Sequence, residues 1–275
     1  MTELISDHSD TRLDIYARMN EPQLKTIYEP KEGLFIAESP MVIMRALDAG
    51  YIPESVLTCR EALKGHGKEV TERIGFEFPD VPVYIGSDEA LREIRGYQLT
   101  RGVLCAMKRK PMPKVCEILH DKKRVVLLED IENPGNVGAI FRSAAAMFMD
   151  GVLLTKNCSD PLYRRSARVS VGTVFNIPWT FTDMDFGLFK EYGFKTVAMA
   201  LKNESISVSD PCLRQEDKLL IVMGNEGCGL KQETIDNCDY TVKIPMAEGV
   251  DSLNVAAASA VAFYVLYRRD HYADR

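Results

Sequence analysis

Several common features are missing from this chain, and each absence removes a class of protein. No apolar stretch reaches membrane-spanning length: the longest, Val255 to Leu266, is interrupted by Ser259. The opening segment, MTELISDHSDTRLDIY, has no apolar core of the kind a signal peptide needs, so neither export nor membrane attachment is expected. The cysteines Cys59, Cys105, Cys116, Cys158, Cys212, Cys228 and Cys238 form no C-x-x-C pair, so the spacing encodes neither a zinc site nor a disulfide framework. Reduced thiols in a cytoplasm are the expectation. Positive charge is in deficit, with 34 Lys and Arg against 40 Asp and Glu for a net charge of -6. That excludes a protein that coats nucleic acid everywhere, though not one with a local basic patch. His8, His66, His120 and His271 have no partners at catalytic or ligand spacing, and no metal is expected. Internal repeats and low-complexity segments are absent as well.

What is present is an ordinary globular composition, 46% hydrophobic and 27% charged over 275 residues, enough for two modest domains. Residues 1–110 read as a small α/β domain with an N-terminal extension whose first ~25 residues are too polar and aperiodic for an assigned element. Strands are expected at Leu34–Ile36, Ser55–Thr58, Val81–Ile85 and Gly102–Met107, with a helix over Asp88–Ile94. Another helix should begin at Pro40 with Ser39 as its N-cap, bury Ile43, Ala46 and Leu47, and end at Gly50. The run Lys108-Arg109-Lys110-Pro111-Met112-Pro113-Lys114 is basic and broken by two prolines, which places a linker at 111–120.

Residues 121–275 read as a second domain in which strands and helices alternate. Its strands, Arg124–Leu128, Val152–Leu154, Thr196–Met199, Leu219–Met223 and Thr241–Ile244, are near-continuous apolar runs, the pattern of a parallel sheet covered on both faces. The clearest helices are Val137–Met149 and Leu253–Arg268.

Three segments of this second half carry chemistry. In Asn133-Pro-Gly-Asn-Val-Gly-Ala-Ile-Phe-Arg142 the glycines allow a tight turn at a helix start, and Arg142 falls within the first two turns. A guanidinium there can clamp a phosphate, stabilise a developing alkoxide, or simply decorate a solvated face. In Ile221-Val-Met-Gly-Asn-Glu-Gly-Cys-Gly-Leu230, Gly224, Gly227 and Gly229 strip side chains from the backbone beside Glu226. The spacing is neither the dinucleotide fingerprint nor a Walker loop, and Glu226 suits a cation, a hydroxyl or an arginine better than a pyrophosphate. In Ile244-Pro-Met-Ala-Glu-Gly-Val-Asp-Ser-Leu-Asn-Val-Ala-Ala-Ala258, Ser252 is typed to cap the helix from Leu253, and Asn254 lies in its first turn. The alanine-rich face Ala256–Ala262 would let another backbone pack closely.

In this order and with this internal spacing, the three motifs resemble those of the SpoU (TrmH) branch of the SPOUT methyltransferases, over roughly residues 122–268. Asp160-Pro161 and Arg168 to Pro178 look like the segment between the family's first two motifs, and 33–106 is similar to the small substrate-binding domain many members carry. The resemblance implies an α/β fold with a C-terminal trefoil knot, a homodimer, and S-adenosylmethionine bound in the knot near the subunit interface. It implies methylation of a ribose 2'-hydroxyl in ribosomal or transfer RNA. Gly224, Ile244 and Leu253 then match positions around the cofactor, with Met246 as a further contact. Arg142 matches the arginine that engages the reacting ribose or its phosphate, while Asn133, Glu226, Ser252 and Asn254 match polar residues that build and brace the site. Glu226 is expected to partner a structural neighbour, Arg142 being one choice. Two basic groups, Arg164-Arg165-Arg168 and Lys108-Arg109-Lys110, would serve the RNA. Competing readings are an RNA-binding assembly factor without turnover and a small-molecule enzyme with a nucleotide site, the latter disfavoured by the missing fingerprint.

Overall fold

A computed structural model describes residues 2–7, 9–28, 32–87, 91, 102–250 and 252–267. The expected helix Asp88–Ile94, apart from Leu91, lies outside the described residues, as do His8, His271 and the expected helix end at Arg268. The chain packs as two compact units, Met1–Pro111 with Leu162–Phe175, and Met112–Pro161 with Asn176–Arg275.

The first unit holds a five-stranded mixed sheet. Its strands are β1 (Thr2–Ile5), β2 (Leu34–Glu38), β3 (Pro53–Cys59), β4 (Val83–Gly86) and β5 (Val103–Lys108), in the order β1-β4-β3-β5-β2. β4 pairs parallel with β1 and β3, and β5 pairs antiparallel with β2 and β3. The N-terminal stretch that periodicity left unassigned contributes β1 and buries Leu13, Tyr16 and Leu24. Its elements are too short to show a period, and strand pairing and burial order them instead. The helix Pro40–Asp48 starts and buries its apolar face as expected, and Gly50 follows its end at φ 74°. Ser39 departs from expectation. It stands at the cap position, but its side chain makes no cap hydrogen bond and its backbone is at φ 89°, ψ 147°.

The linker expected at 111–120 is not a free connector. Val115–Leu119 is a helix, and Ile118 and Leu119 are buried in the second unit's core. The prolines Pro111 and Pro113 end one element, and the apolar residues just beyond them already belong to the next core. Nor does residue 121 onward form one continuous block, because Leu162–Phe175 packs with the first unit. There the helix Arg164–Val169 sets Arg164 and Arg168 against Glu38, at 2.8 and 3.2 Å. Glu38 is only 4% exposed, so two of the arginines expected to face RNA are the counter-charges of a buried carboxylate.

The second unit is built on a seven-stranded sheet in which every described pairing is parallel. Its strands are β6 (Arg124–Leu128), β7 (Gly151–Leu154), β8 (Trp179–Phe181), β9 (Lys195–Met199), β10 (Ile206–Ser207), β11 (Leu219–Met223) and β12 (Tyr240–Lys243), in the order β10-β12-β9-β11-β6-β7-β8. β6 and β11 are buried at every position, as continuous apolar runs require. Val125, Leu127, Leu153, Leu220 and Val222 pack with Phe189 and Phe194. The helices Pro134–Ala146 and Val255–Leu266 pack on each other, burying Phe141, Ala144, Ala262 and Phe263. The alanine-rich face therefore has a partner within its own chain.

Arg124 anchors this unit at the other end of the sheet. Only 1% exposed, it donates from Nε to the Leu266 carbonyl at 2.7 Å, and from Nη1 to the carbonyls of Lys123 and Asp217, both at 2.9 Å. It thus ties the end of the last helix to the start of β6 and the turn before β11. Arg124→Met should lower the stability of the folded protein by about 3 kcal/mol, because buried carbonyls lose charged donors. A urea titration checks this, with amide exchange loosening first near Leu266. A loss below about 1 kcal/mol would assign the anchoring elsewhere.

Candidate functional site

Parallel strands send all their carboxyl ends to one edge, and loops there converge on whatever lies outside it. The three motif segments follow β6, β11 and β12, so the sheet itself collects them.

The loop after β11 folds back on itself. Asn225 and Gly229 exchange backbone hydrogen bonds at 3.1 and 3.0 Å, and Gly229 takes φ 71°, a conformation glycine adopts without strain. At Gly224 the requirement is space: a Cβ there would lie 2.5 Å from the Gly229 carbonyl carbon and the Leu230 nitrogen. Asn225 then fixes the loop from inside. Its Oδ1 accepts from the Gly227 N–H at 2.8 Å, and its Nδ2 donates to the Asp130 carbonyl at 2.7 Å, joining the second motif to the stretch after β6.

Asn136 makes the second connection. Its Nδ2 donates to Glu226 Oε1 at 2.7 Å, and its Oδ1 accepts from Asn254 Nδ2 at 3.3 Å. One amide thereby links all three motifs. Glu226, expected to have a structural partner with Arg142 as one choice, has Asn136 as that partner. The reason is geometric, since Asn136 sits in the first turn of its helix, nearest the strand ends, whereas Arg142 is further along. Asn133 caps the helix Pro134–Ala146, its Oδ1 accepting from the Gly135 N–H at 2.8 Å. Asn254 does the same for Val255–Leu266 through the Ala256 N–H at 3.0 Å. Ser252, expected to be that cap, is exposed two residues earlier.

A cavity of about 360 Å³ opens among these loops, within the size range of small-molecule sites. Gly224, Glu226, Ile244, Met246, Ser252 and Leu253 all line it. The stretch after β9, Met199–Lys202, supplies a wall that no motif announced. Asn133, Asn254 and Arg142 are not among the lining residues, the first two acting through the helix starts they cap. Arg142 is exposed on the helix Pro134–Ala146, with no side-chain hydrogen bond or ion pair among the described residues. Asn136 and Asn225, both absent from the expected site, are the braces. The only trace of them in sequence is an amide between glycines, which spacing cannot distinguish from a turn residue.

Behind the loop, the carboxylate of Glu129, 1% exposed, accepts from the Thr234 hydroxyl at 2.7 Å and the Lys231 N–H at 3.2 Å. Lys231 Nζ lies 2.7 Å from Asp130 Oδ2. Partial burial opposes ionisation of Asp130, but hydrogen bonds from Lys231 and Thr155 outweigh it and hold the carboxyl below its ordinary range. The basic run Lys108-Arg109-Lys110 is engaged inside the first unit. Lys108 pairs with Glu54 at 3.1 Å, Arg109 Nε donates to the Leu34 carbonyl at 3.1 Å, and Lys110 lies over the Tyr51 ring.

The sequence model of the SpoU rRNA methylase family matches residues 123–264. An uncharacterized tRNA/rRNA methyltransferase of Mycobacterium bovis is 31% identical over 98% of this chain and 92% of its own length. Among solved structures, an AdoMet-bound rRNA methyltransferase from Sinorhizobium meliloti superposes with a TM-score of 0.78 at 22% identity, covering 98% of both chains. An RNA 2'-O ribose methyltransferase superposes with a TM-score of 0.75 at 21% identity, over 96% of this chain and 98% of its own.

Gly224→Ala should cost about 1–3 kcal/mol of stability, because the added methyl meets backbone that cannot rotate away. Asn225→Ala should leave the fold's urea midpoint closer to that of the unmutated protein while accelerating proteolysis within Gly224–Leu230. Equal protease resistance of that loop in the two proteins would show that Asn225 is not its brace.

Proposed function

The chain belongs to the SpoU rRNA methylase family, and we propose that it methylates a ribose 2'-hydroxyl in ribosomal or transfer RNA with S-adenosylmethionine as donor. The observation that carries this reading is the convergence of all three motifs on one cavity, cross-linked by Asn136.

The cavity suits that donor. Ile244, Met246 and Leu253 offer apolar surface for an adenine, and the loop's glycines at Gly224, Gly227 and Gly229, bare of side chains, let a ribose and an amino-acid tail come close to the backbone. Once bound, the donor supplies a methyl group already activated by a positive sulfur. The protein's remaining work is to align a weak nucleophile and accommodate its proton. Arg142 is the group for the substrate, its exposed guanidinium meeting a phosphate or the charge growing on the ribose oxygen. Glu226, oriented by Asn136, presents an acceptor at the cavity wall, and Ser252 a hydroxyl at its rim. Asn133 and Asn254 hold the two helix starts, and thereby Asn136, in register.

The active form in this reading is a homodimer. On the helix Val255–Leu266, packed against the helix that carries Arg142, Val261 and Tyr264 are 38% and 62% exposed, and Leu253, just before that helix, is 42% exposed. Those exposed apolar side chains fit a second copy of the chain. The return of the chain from β12 to a helix packed beside the one following β6 supports a trefoil knot. Among the described residues the cysteines are free and no helix is long and apolar enough to cross a membrane; the free thiols support a cytoplasmic setting. The first unit is the RNA-substrate-binding domain.

Titration calorimetry should give binding of S-adenosylmethionine and none of NAD, and labelled methyl should appear as 2'-O-methylnucleoside in ribosomal or transfer RNA. Arg142→Ala should lower methyl transfer about a hundredfold or more while donor affinity holds; full transfer would remove Arg142 from the mechanism. Val261→Asp should convert a dimer to a monomer in sedimentation, and an unmutated protein that sediments as a monomer would end the dimer reading.

A further inference from the structure

The donor cavity has a charge pattern that none of the three motifs announces. The charged residues along its wall are Glu226, Lys202 and Lys243. Glu226 accepts from Asn136. Neither lysine has a carboxylate within ion-pair distance among the described residues, so the wall carries positive charge with no counter-charge against it.

Of the two, Lys202 is the one whose ammonium has a fixed place. Its Nζ donates to Gln232 Oε1 at 3.0 Å, and the Gln232 amide is held in turn, its Nε2 donating to Asp236 Oδ1 at 2.7 Å. Gln232 begins the helix Gln232–Asn237, just after Leu230 ends the glycine-rich loop. The backbone of Lys202 is fixed as well. Its N–H donates to Ser205 Oγ at 3.0 Å, and that hydroxyl, in a residue only 7% exposed, donates to the Ala200 carbonyl at 2.8 Å. The side chain therefore bridges the stretch after β9 and the stretch after β11, two walls of the cavity. A neutral amide takes one of the three ammonium donors and leaves the charge intact. Holding a long side chain this way costs rotamer entropy, which a lysine that merely faces solvent does not spend.

We propose that Lys202 reads the carboxylate on the amino-acid tail of S-adenosylmethionine and so makes the site selective for a donor that keeps this group. The donor carries a sulfonium, an ammonium and a carboxylate, and only the carboxylate complements a lysine. Hydrogen bonds between two ionised groups are among the strong ones. The apolar wall of Ile244, Met246 and Leu253 accepts any adenosine alike, so discrimination falls to the charged group. The proposal rests on the donor occupying this cavity and adds the residue that selects it.

Calorimetry of the full chain with S-adenosylmethionine and with its decarboxylated form, which keeps the adenosine, sulfonium and ammonium, tests it. The unmutated protein should prefer the intact donor by about tenfold or more. Lys202→Met should weaken binding of the intact donor about tenfold and leave the decarboxylated form bound as tightly as before, while Lys202→Arg keeps most of the preference. Thermal melting of both variants should match the unmutated protein, because Lys202 is exposed. Three results overturn the proposal and leave the methylation reading intact: equal binding of the two ligands by the unmutated protein, a preference that survives Lys202→Met, or an equal loss for both ligands in that variant. A preference that Lys243→Met abolishes and Lys202→Met spares assigns the carboxylate to the other lysine and also overturns it. An unmutated protein that binds neither ligand sinks the methylation reading, and this proposal with it.

Discussion

Everything at the candidate site depends on the burial of β11 between β6 and β9 in a parallel register, where Leu219 pairs with both Arg124 and Lys195. Parallel pairing points neighbouring strands the same way, so the loops after β6, β9 and β11 must leave from one edge. Full burial of β11 fixes the register, because a one-residue slip would exchange every side chain between the two covered faces. The glycine-rich loop inherits its position from that constraint. It can close tightly only because Gly224 leaves room for Gly229 and Leu230 to return beside it.

On this rigid base the polar groups work as a network rather than as separate residues. Asn225 secures the second motif to the stretch after β6, and Asn136 secures the first motif to both others. Glu129, buried beneath with Thr234 and the Lys231 N–H as donors, holds the start of the next helix against the same strand end. Because each amide spends both its donor and its acceptor, a change at one end of the network alters the geometry at the other. Arg142 stays outside it. Its guanidinium is exposed, with no side-chain hydrogen bond or ion pair among the described residues.

Sequence reading located five of the seven described strands of the second unit and its two longest described helices to within a few residues, since strands such as β6 and β11 are continuous apolar runs with no competing period, whereas the shorter strands and helices carry too few residues to show one. It identified Gly224, Ile244, Met246 and Leu253, all of which line the cavity, through the motifs that hold them. It misassigned Ser252 as a cap because serine and asparagine are interchangeable there by propensity, and only the backbone shows that the helix begins after Asn254. It placed a linker at 111–120 because prolines and lysines look the same whether or not the next five residues are buried. It assigned Arg164 and Arg168 to RNA because a sequence shows charges but not their partners.

The sequence by itself determined what is local or periodic: a mainly parallel α/β second half, three ordered motifs, and the glycines whose missing side chains let a loop fold back. Tertiary structure decided everything that pairs residues far apart in the chain. Glu226 finds Asn136 across 90 positions, Glu38 finds Arg164 across 126, and Arg124 finds the Leu266 carbonyl across 142. Composition and spacing carry no record of such pairings, because a hydrogen bond depends on where two atoms are brought together in space.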